Sequence, residues 1–174
     1  MNRKVRLITL AFILAVAAPA HQAFAYYQLI DLGTLGGGWS GARSINNHGQ
    51  IVGWAGGRAT LFDPTGGGKN IDLGTLGGEF SGARSINNHG QIVGWAKDNL
   101  GHYYRPALFD PTGGGKNVDL GSLGGTDSSA FSINNLGQIM GWTTDSSGKN
   151  RATLFDPTGG GNNIDIVNTV IEKN

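Results

Sequence analysis

Residues 44–54 read Ser-Ile-Asn-Asn-His-Gly-Gln-Ile-Val-Gly-Trp, and this run determines how the chain can fold. It returns at 85–95 and, with Leu for His and Met for Val, at 132–142. Asn-x-Gly supplies a tight turn, and the alternation after it has the period of two residues expected of a β-strand. Because the run occurs three times, at intervals of 41 and 47 residues, it indicates three copies of one structural unit.

The rest of each unit repeats with this run. Asp-Leu-Gly-Thr-Leu-Gly-Gly starts at positions 31, 72 and, with Ser for Thr, 119, while Leu-Phe-Asp-Pro-Thr-Gly-Gly-Gly starts at 61, 108 and 154. No stretch after residue 25 has a helical period, so the predicted class is all-β. The repeats cover about 31–71, 72–118 and 119–165. Each is predicted to hold four short strands, which in the first repeat span 42–46, 50–55, 58–62 and 70–73.

The start of the chain has the pattern of a secretory signal peptide. Residues 1–6 carry three cations, 7–18 are apolar or small except for one Thr, and Ala23-Phe24-Ala25 is a small-x-small site. The apolar run is too short to span a membrane comfortably. We therefore expect residues 1–25 to be a cleaved leader. The expected mature chain, 26–174, is a single exported β-repeat domain, periplasmic or extracellular, without a stable membrane anchor.

The composition of the mature chain excludes several classes of protein. Without the leader there remain ten basic and twelve acidic residues, a net charge of −2, so no basic surface suited to nucleic acid is expected. All 31 glycines lie beyond residue 25, yet they follow no Gly-X-Y period, which excludes collagen. The absence of cysteine excludes disulfides, zinc–thiolate sites and cysteine nucleophiles.

The side chains that carry chemistry have simple structural explanations. Gly66-Gly67-Gly68-Lys69-Asn70 lacks the spacing of a phosphate loop and is predicted to be a hairpin turn. The aspartates before proline, at 63, 110 and 156, are expected to organise that turn through their side chains. Among the acids that do not repeat, Glu79 and Asp98 are the one pair within a copy that can meet, while the mature histidines lie on separate copies. We therefore predict no catalytic residue, no metal site, no cofactor and no enzymatic activity.

The repeated motifs resemble a known family. Asp-Leu-Gly-Thr-Leu-Gly-Gly followed by Ser-x-Ala-x-Ser-Ile-Asn-Asn-x-Gly-Gln-Ile-Val-Gly-Trp is similar to the HAF-family extracellular repeat of bacterial exported proteins, over 31–165. The resemblance implies export and repeated blade-like β units but supplies no established activity or site residues. The family's His-Ala-Phe triplet is absent, since the matching places read Arg58-Ala59-Thr60, Arg105-Pro106-Ala107 and Arg151-Ala152-Thr153. Nothing that depends on that histidine is carried over.

Three four-stranded units leave the closure of the fold open. We predict tandem antiparallel blades like those of a propeller, in an incomplete ring, because closed propellers have four to eight blades. The alternatives are an open stack with 26–31 pairing at one edge, an oligomeric ring, and a closed β-trefoil-like or β-prism-like form. Open sheet edges pair readily with other strands, so association of copies is expected.

One end of the repeat unit collects nearly all of the differences between copies. In a meander the second-to-third-strand loops and the Leu-Gly-Gly linkers share an end, and the candidate ligand face there comprises Trp39, Phe80, His102, Tyr103 and Tyr104. The tryptophans at 54, 95 and 142 repeat and are interpreted as packing residues. The predicted function is a secreted, non-catalytic module that binds a protein or carbohydrate. The alternatives are a secreted polysaccharide hydrolase or lyase with a site at the blade rim, and a structural fragment of a longer array.

Overall fold

The computed structural model describes residues 28–102 and 104–166, so the predicted leader lies outside the described residues. These residues form three four-stranded antiparallel sheets in tandem and no helix, which confirms the all-β class. No helix in this part of the chain is long and apolar enough to cross a membrane. The strands are β1 (Ser40–Ile45), β2 (Ile51–Ala55), β3 (Arg58–Phe62), β4 (Ile71–Asp72), β5 (Gly77–Ile86), β6 (Ile92–Asp98), β7 (Arg105–Phe109), β8 (Val118–Asp119), β9 (Gly124–Ile133), β10 (Ile139–Asp145), β11 (Asn150–Phe155) and β12 (Ile164–Asp165).

Each sheet is a meander of four consecutive strands, as predicted. The turn between β1 and β2 forms because the Asn46 side-chain oxygen accepts hydrogen bonds from the N–H groups of His48 and Gln50, both at 3.0 Å. Gly49 closes this turn with φ of 74°, a conformation that suits glycine. The first strands of the second and third sheets are longer than predicted. In these copies the loop after β6 or β10 is longer, so β6 and β10 extend further than β2. Their added residues pair with the linker at the start of β5 and β9.

A close backbone approach explains the glycine that precedes the repeated tryptophan in every copy. The register of β5 against β6 shifts between Ala83 and Ser85, which marks an irregularity in the ladder. Gly94 lies opposite this shift, and a side chain there would overlap the carbonyl oxygen of Gly82. The same approach occurs at Gly53 and Gly141. Each unit therefore requires glycine at this place.

The hydrophobic core lies between successive sheets. One cluster joins Val52 and Ala59 of the first sheet to Ala83, Ile86 and other residues of the second. A further cluster joins Val93 and its neighbours in the second sheet to buried residues of the third. A single sheet has no second layer of its own, so its apolar face is covered only by the adjacent sheet.

The three sheets form an open series. Substantial contacts run from the first sheet to the second and from the second to the third, chiefly through β5 and β9. The described sheets are not closed into a barrel, so the trefoil-like and prism-like alternatives are wrong and the incomplete ring of blades is confirmed. Residues 28–33 form no strand, so the described part of the 26–31 segment does not extend a sheet edge.

Candidate functional site

The loops that differ between copies share one end of the sheets with the linkers. The N–H of Gly56, in the loop between β2 and β3, donates to the carbonyl oxygen of Trp39 at 3.0 Å. In the second sheet, the N–H of Leu76 in the linker donates to the carbonyl oxygen of Lys97 at 3.1 Å. At the opposite end, the His48 and Asp63 turns line one shallow depression. The predicted division of the unit into two ends is therefore correct.

The uniform end carries an asparagine ladder that joins one sheet to the next. The side-chain nitrogen of Asn46 donates to the carbonyl oxygen of Asn87 at 2.9 Å, and that of Asn87 donates to Asn134 at 3.0 Å. Each of these side chains also organises its own turn. This double role explains why Asn is the same in every copy, and it is structural.

A groove of about 270 Å³ opens between the first and second sheets. It lies along β1, β2, β5 and β6, and Tyr104, which directly precedes β7, lines it as well. Aromatic and cationic side chains dominate its lining, while no carboxylate is found among the described residues that line it. The principal lining side chains are Arg43, Trp54, Phe80, Arg84, Trp95 and Tyr104.

Glycines position the two indole rings of the groove. Gly82 pairs with Trp95 across the strands, and a side chain at Gly82 would stand 2.9 Å from the indole nitrogen. Gly41 and Trp54 are related in the same way, at 3.0 Å. The ring of Tyr104 meets Trp95 edge to face, with 5.0 Å between ring centroids and an angle of 72°. The aromatic walls are therefore fixed by packing before any ligand arrives.

Two guanidinium groups give the groove its positive charge. No Asp or Glu in the described ranges lies within ion-pair distance of Arg43 or Arg84. Arg84 stacks on the ring of Phe131, 4.9 Å from its centroid. Its Nε is buried and has no hydrogen-bond partner among the described residues. Burial, and after it the positive charge of Arg43, lowers the pKa of Arg84. An anion between the two groups would offset both costs.

The structure brings together only part of the predicted ligand face. Phe80 and Tyr104 line the groove. Trp39 is 79% exposed and does not line it. His102 is held within its own loop, where its Nδ1 lies 2.5 Å from a carboxylate oxygen of Asp98. Tyr103 lies outside the described residues.

Sequence analysis missed the residues that complete the groove. Trp54 and Trp95 were interpreted as packing residues because they repeat, yet both are only half-buried and face the groove. The sequence led to no prediction that Arg43 and Arg84 bind a ligand. The available signal was the third copy, where the place of these arginines is taken by Phe131.

The remaining polar residues that the sequence singled out are the repeated aspartates of the turn, the pair Glu79 and Asp98, and the candidate metal ligands. The Asp156 carboxylate accepts hydrogen bonds from the hydroxyl and N–H of Thr158, which lower the pKa of Asp156 to about 2. Asp63 and Asp110 make the same contacts, so the predicted turn role is confirmed. No hydrogen bond or ion pair joins Glu79 to Asp98 in the described chain. Within it, no group of three or more His, Asp or Glu side chains could hold a metal ion.

Comparison with protein-family models, curated proteins and solved structures finds no match to this chain.

Proposed function

We propose that the protein is an exported, non-catalytic module that binds an acidic carbohydrate in the groove between its first and second sheets. The observation that carries this proposal is the pairing of two guanidinium groups, without carboxylate partners among the described residues, with rigid aromatic walls. The leader pattern at 1–25 and the resemblance to HAF-family repeats support export.

The ligand class follows from the chemistry of the lining. Aromatic faces such as those of Trp54 and Trp95 stack on the apolar face of a sugar ring. Guanidinium groups bind carboxylates or sulfates with two parallel hydrogen bonds, which a lysine cannot reproduce. Together these groups suit a sugar that carries a carboxylate, such as a uronic acid within a polysaccharide.

Binding is favoured over hydrolysis because of what surrounds the ligand position. Glycoside hydrolysis ordinarily uses two carboxyl groups on either side of the scissile bond. The described lining of the groove supplies none, and Asp98 is already engaged by His102. Catalysis at this site therefore lacks its principal groups.

The groove also differs from what repetition alone would produce. At the corresponding place between the second and third sheets, Phe131 stands for arginine and Asp127 stands for Phe80. A lining with two guanidinium groups between aromatic walls is thus specific to one pair of sheets. This difference favours a binding module over a purely structural array.

Titration calorimetry with oligogalacturonate tests the proposal, with the fully methyl-esterified oligomer as the uncharged control ligand. We expect the acid to bind and the ester to bind at least tenfold more weakly. Arg43→Gln should weaken binding of the acid about tenfold, because one charge-assisted pair contributes about 1.5 kcal/mol or more. Arg43 is exposed, so its loss should leave the fold intact.

Lys116→Gln is the matched control, since it removes one positive charge from an exposed turn outside the groove. Affinity should be unchanged in this variant. Equal binding of acid and ester, or equal loss in the two variants, would contradict a site for acidic sugar in the groove.

A further inference from the structure

The stacking of sheets defines two kinds of surface on each sheet. We call the side that packs on the preceding sheet its leading face and the side that packs on the following sheet its trailing face. Trailing-to-leading contacts occur twice within the chain, between the first and second and between the second and third sheets. One leading face and one trailing face are therefore without a neighbouring sheet among the described residues. Leu32 lies at the edge of this leading face, and its backbone oxygen accepts a hydrogen bond from the Asn70 side chain, as that of Leu73 does from Asn117.

The leading face of the first sheet exposes residues that are buried in its copies. Ile45 is 65% exposed, whereas the corresponding Ile86 and Ile133 are 5% and 6% exposed. Trp39 extends this apolar surface, since its counterpart Phe80 packs beside Gly57 of the preceding sheet. The part of this face around Ile45 and Trp39 therefore lacks the cover that the corresponding parts of the second and third sheets have.

The trailing face of the third sheet likewise exposes residues whose counterparts in the first and second sheets are buried. Met140 is 52% exposed, whereas Val52 and Val93 at the same place are fully buried against the next sheet. Ile164 is exposed as well, although the place that its counterpart Ile71 takes beside Gly113 is held on the first sheet by Ile30, beside Gly66. The third sheet thus presents the surface that its predecessors use for stacking.

The hydrogen-bonding groups at these faces match in the same direction. The N–H of Asn47 donates to the side-chain oxygen of Asn88, and the N–H of Asn88 donates to that of Asn135, both at 3.0 Å. Within the described chain, the N–H of Asn135 donates to no such acceptor and the side-chain oxygen of Asn47 receives no such bond. One further step of the ladder would join them.

We propose that the trailing face of the third sheet binds the leading face of the first sheet in a second copy of this chain. The sequence indicates that the partner is a second copy of this chain, because residues 31–55 and 72–96 differ only at Gly38/Glu79 and Trp39/Phe80. The first sheet therefore presents nearly the same leading face that the second sheet already docks onto a trailing face.

Such an interface is heterologous, since two different surfaces meet. Copies joined this way close into a ring if the rotation permits and otherwise extend as a fibre. The contact is face to face and does not use strand pairing at sheet edges. None of the residues named for the two faces lines the ligand groove, so the interface does not depend on the proposed function.

Sedimentation velocity on the processed protein, over a wide range of concentrations, tests this interface with two variants. Ile45→Asp places a charge on the leading face, and Met140→Asp places one on the trailing face. Each variant should stay monomeric at concentrations at least ten times the dissociation constant of the unaltered protein. Both residues are exposed, so circular dichroism should remain that of the unaltered protein.

Mixing distinguishes this interface from other modes of association. Ile45→Asp keeps an intact trailing face and Met140→Asp keeps an intact leading face, so an equimolar mixture should form a 1:1 dimer and nothing larger. Leu100→Asp, at an exposed residue of a loop in the second sheet, should associate like the unaltered protein.

Several outcomes would overturn the proposal. One is an unaltered protein that stays monomeric, which is expected if its own terminal segments cover both faces. Another is a single variant that still associates, which is expected if copies pair at sheet edges. A mixture that remains monomeric, or a Leu100→Asp variant that dissociates equally, would do the same.

Discussion

Replacement of Asn87 by alanine is expected to be far more costly than the same replacement of Asn134. The Asn87 side chain accepts from the N–H groups of His89 and Gln91 and donates to the Gln91 side chain and to the carbonyl oxygen of Asn134. It is buried between two sheets. Alanine removes all four bonds, and their partner groups are then only partly accessible to water.

Asn134 provides the matched comparison. It makes three equivalent bonds within its own turn but none to a following sheet, and it is exposed. At about 1 kcal/mol for each partly buried hydrogen bond and about half of that for each exposed one, Asn87→Ala should cost about 4 kcal/mol and Asn134→Ala about 1.5 kcal/mol. The difference of about 2.5 kcal/mol measures burial and the bond between sheets.

Urea denaturation followed by tryptophan fluorescence gives both values. Dilute protein is required, since a second copy bound to the third sheet would cover Asn134. Asn46→Ala should resemble Asn87→Ala, because Asn46 also donates to the next sheet. If Asn134→Ala destabilises the protein as much as Asn87→Ala, the ladder between sheets contributes nothing and the reasoning fails.

Three further predictions concern acid stability, close packing and processing. The pKa of Asp156 falls from 3.8 to about 2 in the folded state, so its contribution to stability is present above pH 4 and is lost as pH falls towards 2; the melting temperature of Asp156→Asn should depend less on pH across this window. Gly94→Ala should lower the free energy of unfolding by at least about 2 kcal/mol, because its methyl group overlaps a backbone oxygen, while Gly38→Ala, with open space around it, should be neutral in the same denaturation assay. The intact mass of the exported protein should correspond to a chain that starts at Tyr26.

Repetition made most of the fold predictable. Strands, turns and their order followed from three aligned copies, because turn residues such as Gly49 and the alternation after it recur in each. The incomplete ring followed from the number of copies, because closed propellers have four to eight blades, but the way in which one sheet packs on the next did not. That packing depends on which faces of different sheets are complementary, and the pattern within one strand carries no information about its neighbour across the stack.

The candidate groove was harder to predict, for a physical reason. A residue that occurs in every copy can be half-buried and still face a groove, as Trp54 and Trp95 do, so their repetition does not establish a packing role. Phe80, which lies in β5, and Tyr104, which lies in a loop, were predicted because their positions vary between copies. Arg43 and Arg84 lie on strands, where a charged side chain is easily attributed to a solvated face.

Because the core lies between sheets, the stability of each sheet depends on how many neighbouring sheets it packs against. Three sheets share two interfaces, so opening the middle sheet breaks both, whereas opening an outer sheet breaks only one. Fluctuations should therefore begin at the outer sheets and reach the middle one last, a gradient visible to hydrogen exchange. The same arithmetic makes growth by duplication favourable. A copied unit arrives with a face that already fits its parent, and every unit added beyond the first contributes one whole interface.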